Sequence, residues 1–118
     1  MKQITSHIVD PASNQIKITA MYEPGAGGAY HHYLIEVPDS EDTYIKFQSG
    51  PLGEFGFNGI TMEALLAIVE DRLVDFQAGS FPCHENAMAL EFVRSAIDQL
   101  HNRTRNRLER GVEGKNEA

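Results

Sequence analysis

The spacing of apolar and polar positions changes near residue 60. Before it they alternate. Residues 3–9 (QITSHIV) and 14–23 (NQIKITAMYE) put apolar and β-branched side chains at every second position, the pattern of half-buried strands. Between them Asp10-Pro11-Ala12-Ser13-Asn14 reads as a turn, so the two runs form a hairpin. A Gly-rich connection, residues 24–29 (PGAGGA), leads into a third alternating run from Tyr30 to Val37. An acidic turn over 38–42 and a fourth run, Thr43 to Gln48, follow. Strands joined by such short connections pair as an antiparallel meander. Leu52 to Ile60 (LGEFGFNGI) is expected to be a loop packed over the core.

From Met62 the period is helical. Thr61 is placed as an N-cap with Glu63 in the first turn, and Leu65, Ile68, Val69, Arg72/Leu73 and Phe76 recur at helical spacing up to Gln77. Gly79 stops this helix and Ser80-Phe81-Pro82 makes an elbow. The stretch from Pro82 to Gly111 reads as one long helix with the stripe Ala89, Leu90, Val93, Ala96, Ile97 and Leu100. It has no Gly or Pro between Met88 and Asn102, so no sharp kink is expected. Two helices joined by a short elbow form an antiparallel hairpin. The fold class is therefore α+β: an N-terminal antiparallel sheet followed by two C-terminal helices. At 118 residues the chain is expected to be a single domain, mainly β over 1–60, two helices over 61–111 and a frayed tail over 112–118.

Charge sharpens the division. The net charge is −7, but residues 1–93 hold four Lys and Arg against thirteen Asp and Glu, a balance of −9, whereas residues 94–118 hold six against four, a balance of +2. A chain this acidic is a poor partner for duplex nucleic acid, although a local basic site for a small phosphate ligand is open to it. The single Cys83 excludes an intrachain disulfide and suits a reducing compartment. The start has no apolar signal core and no apolar run approaches 18 residues, so a soluble intracellular protein without a membrane partner is expected.

Most catalytic patterns fail on inspection. The Gly-rich stretch lacks the Lys-Ser/Thr ending of a phosphate loop and leads into a strand where a helix is needed. His31 and His32 point to opposite faces of a strand and cannot chelate one ion. His84-Glu85 begins a zinc-protease motif, but Met88 stands where the second His is required. Cys83 beside His84 at a helix start could serve a nucleophile, yet no orienting third residue or oxyanion loop accompanies it.

A non-catalytic set is better supported. Arg103, Arg107 and Arg110 are spaced i, i+4, i+7 on one helix face, with Arg105 nearby, and guanidinium forks match phosphate. The alternative for them is a solvated basic end that suits the helix dipole. Asn86 offers a donor and an acceptor to a base or ribose edge, or caps the helix. Phe76 and Phe81 could stack on a base, or pack in the core. Asn86 and Arg103 lie 17 residues apart, roughly 25 Å along a straight helix. One small ligand can touch both only if two helices from a two-fold dimer run antiparallel.

The runs FQSGPLGEFGFNGITMEALLAIVEDRL, FQAGSFPCHENAMAL and RTRNRLERGVEG, spanning about residues 46–114, resemble the phage anti-Thoeris sponge family. The FPCxENA and RGVEG segments are the specific ones, and the PGAGGA…HHY start is similar to many members. The resemblance implies a protein of the infected bacterial host's cytoplasm that binds cyclic ADP-ribose isomers without cleaving them and so suppresses Thoeris immunity. It implies no cofactor, no metal and no catalytic residue, with Phe76, Asn86, Arg103 and Arg107 as ligand positions. Related members are homodimers assembled into hexamers that also hold cyclic di- and trinucleotides at separate sites, which extends the expectation to CBASS immunity. The chain departs from the family pattern at His84, where an Arg is usual, at Asp98-Gln99-Leu100, where an aromatic is common, and at Lys115. A small enzyme that degrades the same signal through Cys83, His84 or Glu85 is the alternative.

Overall fold

The computed structural model describes residues 1–111, and the tail expected over 112–118 lies outside them. The chain divides where its period changes: Met1–Ile60 form one compact unit, and a second begins at Thr61.

In the first unit four strands, β1 (Lys2–Ile4), β2 (Lys17–Met21), β3 (His32–Glu36) and β4 (Thr43–Lys46), form one antiparallel sheet in sequence order. The register sets Ile4, Ile18 and Ile35 opposite one another, and likewise Ala20, Tyr33 and Ile45. Opposed residues share a face, so these six make the apolar side of the sheet. Ala20 is the fully buried residue among those described. The first strand is shorter than its alternation suggested. The Ile8 N–H bonds the Thr5 carbonyl, turning the chain out of the sheet, and His7 Nε2 donates to the Ile16 carbonyl at 2.7 Å across the turn. Within that turn Ser13 N and Oγ both donate to Asp10 Oδ1, at 2.7 and 2.6 Å, while Ser13 Oγ accepts from the Val9 and Asp10 amides. The Gly-rich connection is closed by Gly25 N on the Ala29 carbonyl and by His31 Nε2 donating to the Ala26 carbonyl.

Residues 48–60 correct the expectation of a loop laid over a core. Leu52–Phe55 form a short helix, α1, and Phe57 is 88% exposed, with Phe55 also exposed. Side-chain amides hold the segment instead. Gln48 donates to the Gly56 carbonyl at 2.8 Å and accepts from Asn58 N, while Asn58 accepts from Ser49 N at 2.8 Å and donates to the Ser49 carbonyl at 2.7 Å. A parallel bridge then joins Ile60 to Phe47. Gly59 is required there, because a Cβ would collide with the Phe47 carbonyl.

The second unit holds helix α2 (Met62–Ala78) and helix α3 (His84–Glu109). Thr61 caps α2 by accepting from Ala64 N, and Gly79 ends it. At the other end of the hairpin Gly111, with φ of 72°, takes the left-handed conformation that closes α3, its N–H on the Leu108 carbonyl. The elbow is tied by a reciprocal pair: Gln77 Nε2 donates to the Cys83 carbonyl and Gln77 Oε1 accepts from Cys83 N, both at 3.0 Å. Arg94 Nε donates to Glu70 Oε2 at 3.0 Å across the helices, which run antiparallel. The α2 stripe divides: Leu65 and Leu73 are half-buried, whereas Ile68, Val69 and Phe76 are exposed. No helix among the described residues is long and apolar enough to cross a membrane.

Candidate functional site

Helix α3 is continuous for 26 residues, as the absence of Gly and Pro predicted. Its half-buried positions include Asn86, Leu90, Val93, Ile97, Leu100, Thr104 and Arg107, an alternation of four- and three-residue steps that marks one seam. The seam thus carries a carboxamide at one end and a guanidinium at the other. The intervening rise is roughly 30 Å from Asn86 to Arg107 and 25 Å from Asn86 to Arg103.

The Glu70–Arg94 contact fixes the register of the hairpin. Counting equally from it in both directions, Ala78 is level with Asn86 and Met62 with Asn102. Phe76 and Asn86 therefore both belong to the elbow end. Arg103 onward continues past the start of α2, at the opposite end.

At the elbow end Cys83 takes the capping role that was one alternative for Asn86. The Cys83 thiol accepts from the Asn86 backbone N–H at 3.4 Å. The Asn86 carboxamide is left half-buried with no hydrogen bond to the described residues. Phe76 is 51% exposed and Phe81 88% exposed, so neither is a core residue of this chain. The Arg72 guanidinium lies over the Phe76 ring, its carbon 5.1 Å from the centroid.

At the far end a shallow depression is lined by Arg103, Asn106, Arg107 and Arg110. Arg105 is turned aside and donates to Asn102 Oδ1 at 2.9 Å. Three guanidiniums and a carboxamide share this wall, and the guanidinium fork is the donor geometry that matches a phosphate or carboxylate. Asn106, three residues after Arg103, lies on the same face without having been singled out by the sequence, and Arg72, placed there in the α2 stripe, proves to be the i, i+4 partner of the Phe76 ring. His31 and His32 serve the sheet unit: His31 closes the Gly-rich turn and His32 meets Tyr22 edge-on at 5.1 Å.

Two comparisons bear on this arrangement. Residues 39–104 match the family model described as Acb2/Tad1, hairpin domain, which takes in the fourth strand, the amide-held loop, all of α2 and α3 as far as Thr104. The chain is also 36% identical over 110 residues to Thoeris anti-defense 1 of Bacillus phage SBSphiJ7, covering 93% of this chain and 77% of the phage protein. A helical hairpin with these ends, matched over more than half the chain, makes this protein a member of the Acb2/Tad1 family, the anti-Thoeris family that its FPCxENA and RGVEG segments resemble.

Proposed function

We propose that this protein is a sponge: it binds cyclic ADP-ribose isomers in the cytoplasm of the infected host and withholds them, uncleaved, from the Thoeris effector. One observation carries the reading. The unbroken α3 helix keeps Phe76 and Asn86 at one end of the hairpin and Arg103 and Arg107 at the other, farther apart than one small ligand can span. Each end is half of a nucleotide site.

Two antiparallel copies of the hairpin complete it twice, the elbow end of one protomer meeting the arginine end of its partner. The apolar side chains that the hairpin leaves uncovered, Ile68, Val69 and Phe92, support a second copy, since such surface favours association. The same proposal includes further assembly to a hexamer and cyclic di- or trinucleotides at separate sites, which would extend protection to CBASS; the family resemblance supports it.

Sequestration needs affinity and no chemistry. A cyclic ADP-ribose isomer has roughly 35 non-hydrogen atoms, which at about 0.3 kcal/mol each gives about 10 kcal/mol, or tens of nanomolar. Arg103 and Arg107 supply charge-assisted bonds to the diphosphate, Asn86 reads a base or ribose edge, and Phe76 stacks on the base. The thiol of Cys83 is engaged as a helix cap. Incubation with a cyclic ADP-ribose isomer, heat denaturation and chromatography test the reading. Intact ligand returned in stoichiometric amount is the expected result. Linear product would establish an enzyme, and no depletion before heating would remove ligand binding altogether.

A further inference from the structure

Phe76 has only one ring face to offer. The Arg72 guanidinium carbon sits 5.1 Å over the ring centroid, one turn earlier on the same face of α2, and the ring is half exposed. Arg72 makes no ion pair among the described residues, although Asp71 and Asp75 flank it in sequence. A guanidinium that forgoes carboxylates for an aromatic face is held by the ring's quadrupole and by stacking of two flat groups. On its own an exposed Phe samples several rotamers and presents either face. With Arg72 against one face, the contact biases the ring toward the orientation that leaves its other face open.

We propose that Arg72 is a positioning residue for base recognition: it backs the Phe76 ring so that a purine stacks on the opposite face, in a three-layer guanidinium–phenyl–base stack. This rests on the assignment of Phe76 as the stacking residue. Two consequences separate Arg72 from the arginines of the far end. It touches the ring and not the phosphates, so its removal weakens only ligands that carry a base. Its effect also passes entirely through Phe76, so the two residues are strongly non-additive.

The test is a double-mutant cycle of Arg72→Ala and Phe76→Ala, titrated with a cyclic ADP-ribose isomer and, as a base-free probe, inorganic pyrophosphate. Arg72→Ala is expected to weaken the cyclic ligand about fivefold to tenfold, with pyrophosphate changed less than about twofold. In the Phe76→Ala background the same substitution is expected to cost nothing further. Equal losses for both probes, or the full Arg72 effect without Phe76, would overturn the proposal in favour of long-range charge. If Phe76→Ala alone leaves the cyclic ligand unaffected while Arg103→Ala abolishes it, the sponge reading stands and the stack falls.

A ligand-free measurement guards against lost folding or absent binding. The Arg72 side-chain protons of the wild-type protein should show upfield ring-current shifts that vanish in Phe76→Leu. Unshifted resonances in the wild type would contradict the stack directly.

Discussion

The turns of the sheet unit and the two ends of α3 treat their polar side chains differently. In the sheet unit Asp10, Ser13, His31, Gln48 and Asn58 all close onto their own backbone. In the helical unit the Asn86 carboxamide and the Arg103 guanidinium, at opposite ends of α3, have no hydrogen bond to the described residues. Satisfied groups hold a loop in place, whereas a half-buried carboxamide and a guanidinium left open are suited to a partner or ligand. The contrast sorts mutations by readout: the first unit should answer in stability, and the ends of the second in binding.

The largest effect is expected at the arginine end. Arg103→Ala and Arg107→Ala should each cost about 2–3 kcal/mol of affinity for a cyclic ADP-ribose isomer, because each removes charge-assisted bonds to phosphate. Calorimetry measures the loss, and wild-type affinity in both variants would refute the assignment. In the sheet unit, Asn58→Ala strips the Ser49 amide and carbonyl of their partners and should lower stability by roughly 1–3 kcal/mol with affinity retained. A denaturant melt reads it, and an unchanged midpoint would break the contrast. Phe76→Ala should cost on the order of 1–2 kcal/mol in binding with little change in melting temperature, as an exposed stacking residue does and a core residue does not.

The smallest effect is one of pH. Bonds from the Ser13 hydroxyl and then its backbone N–H hold the Asp10 carboxyl below its ordinary value. The folded state therefore favours the charged carboxylate, and the stabilisation is present above the unfolded carboxyl range, near pH ~4. It is lost as pH falls through the lowered folded value. The stability difference between wild type and Ser13→Ala should be small at neutral pH and shrink on acidification, and a difference that grew instead would reverse the sign.

How far the sequence revealed these features depended on whether each has a period. Alternation identified all four strands and helical spacing both long helices, with Thr61, Gly79 and Gly111 marking ends where caps and left-handed backbone occur. The Gln48–Asn58 clamp had no such signature, because side-chain bonds across ten residues leave no spacing to read, and the segment looked merely apolar and Gly-rich. The α2 stripe misled for a related reason. Ile68, Val69 and Phe76 have the right period for a core, but periodicity does not say whether the surface they face belongs to the same chain. The proposal of Phe76, Asn86, Arg103 and Arg107 as ligand residues rests on residue chemistry and family resemblance together. Their separation to opposite ends of the hairpin needed only the helical rise.

If the two ends meet only across two protomers, complementation between variants must restore binding. Asn86→Ala and Arg103→Ala proteins, assayed at a ligand concentration that fills the wild-type site and neither variant alone, are mixed, unfolded and refolded together. Random pairing makes half the dimers mixed, and each mixed dimer has one site built from the intact Asn86 of one protomer and the intact Arg103 of the other. The account predicts recovery of about one ligand site per two dimers, about a quarter of the wild-type number. No recovery from verified mixed dimers would place both residues in one chain's site and contradict the antiparallel arrangement.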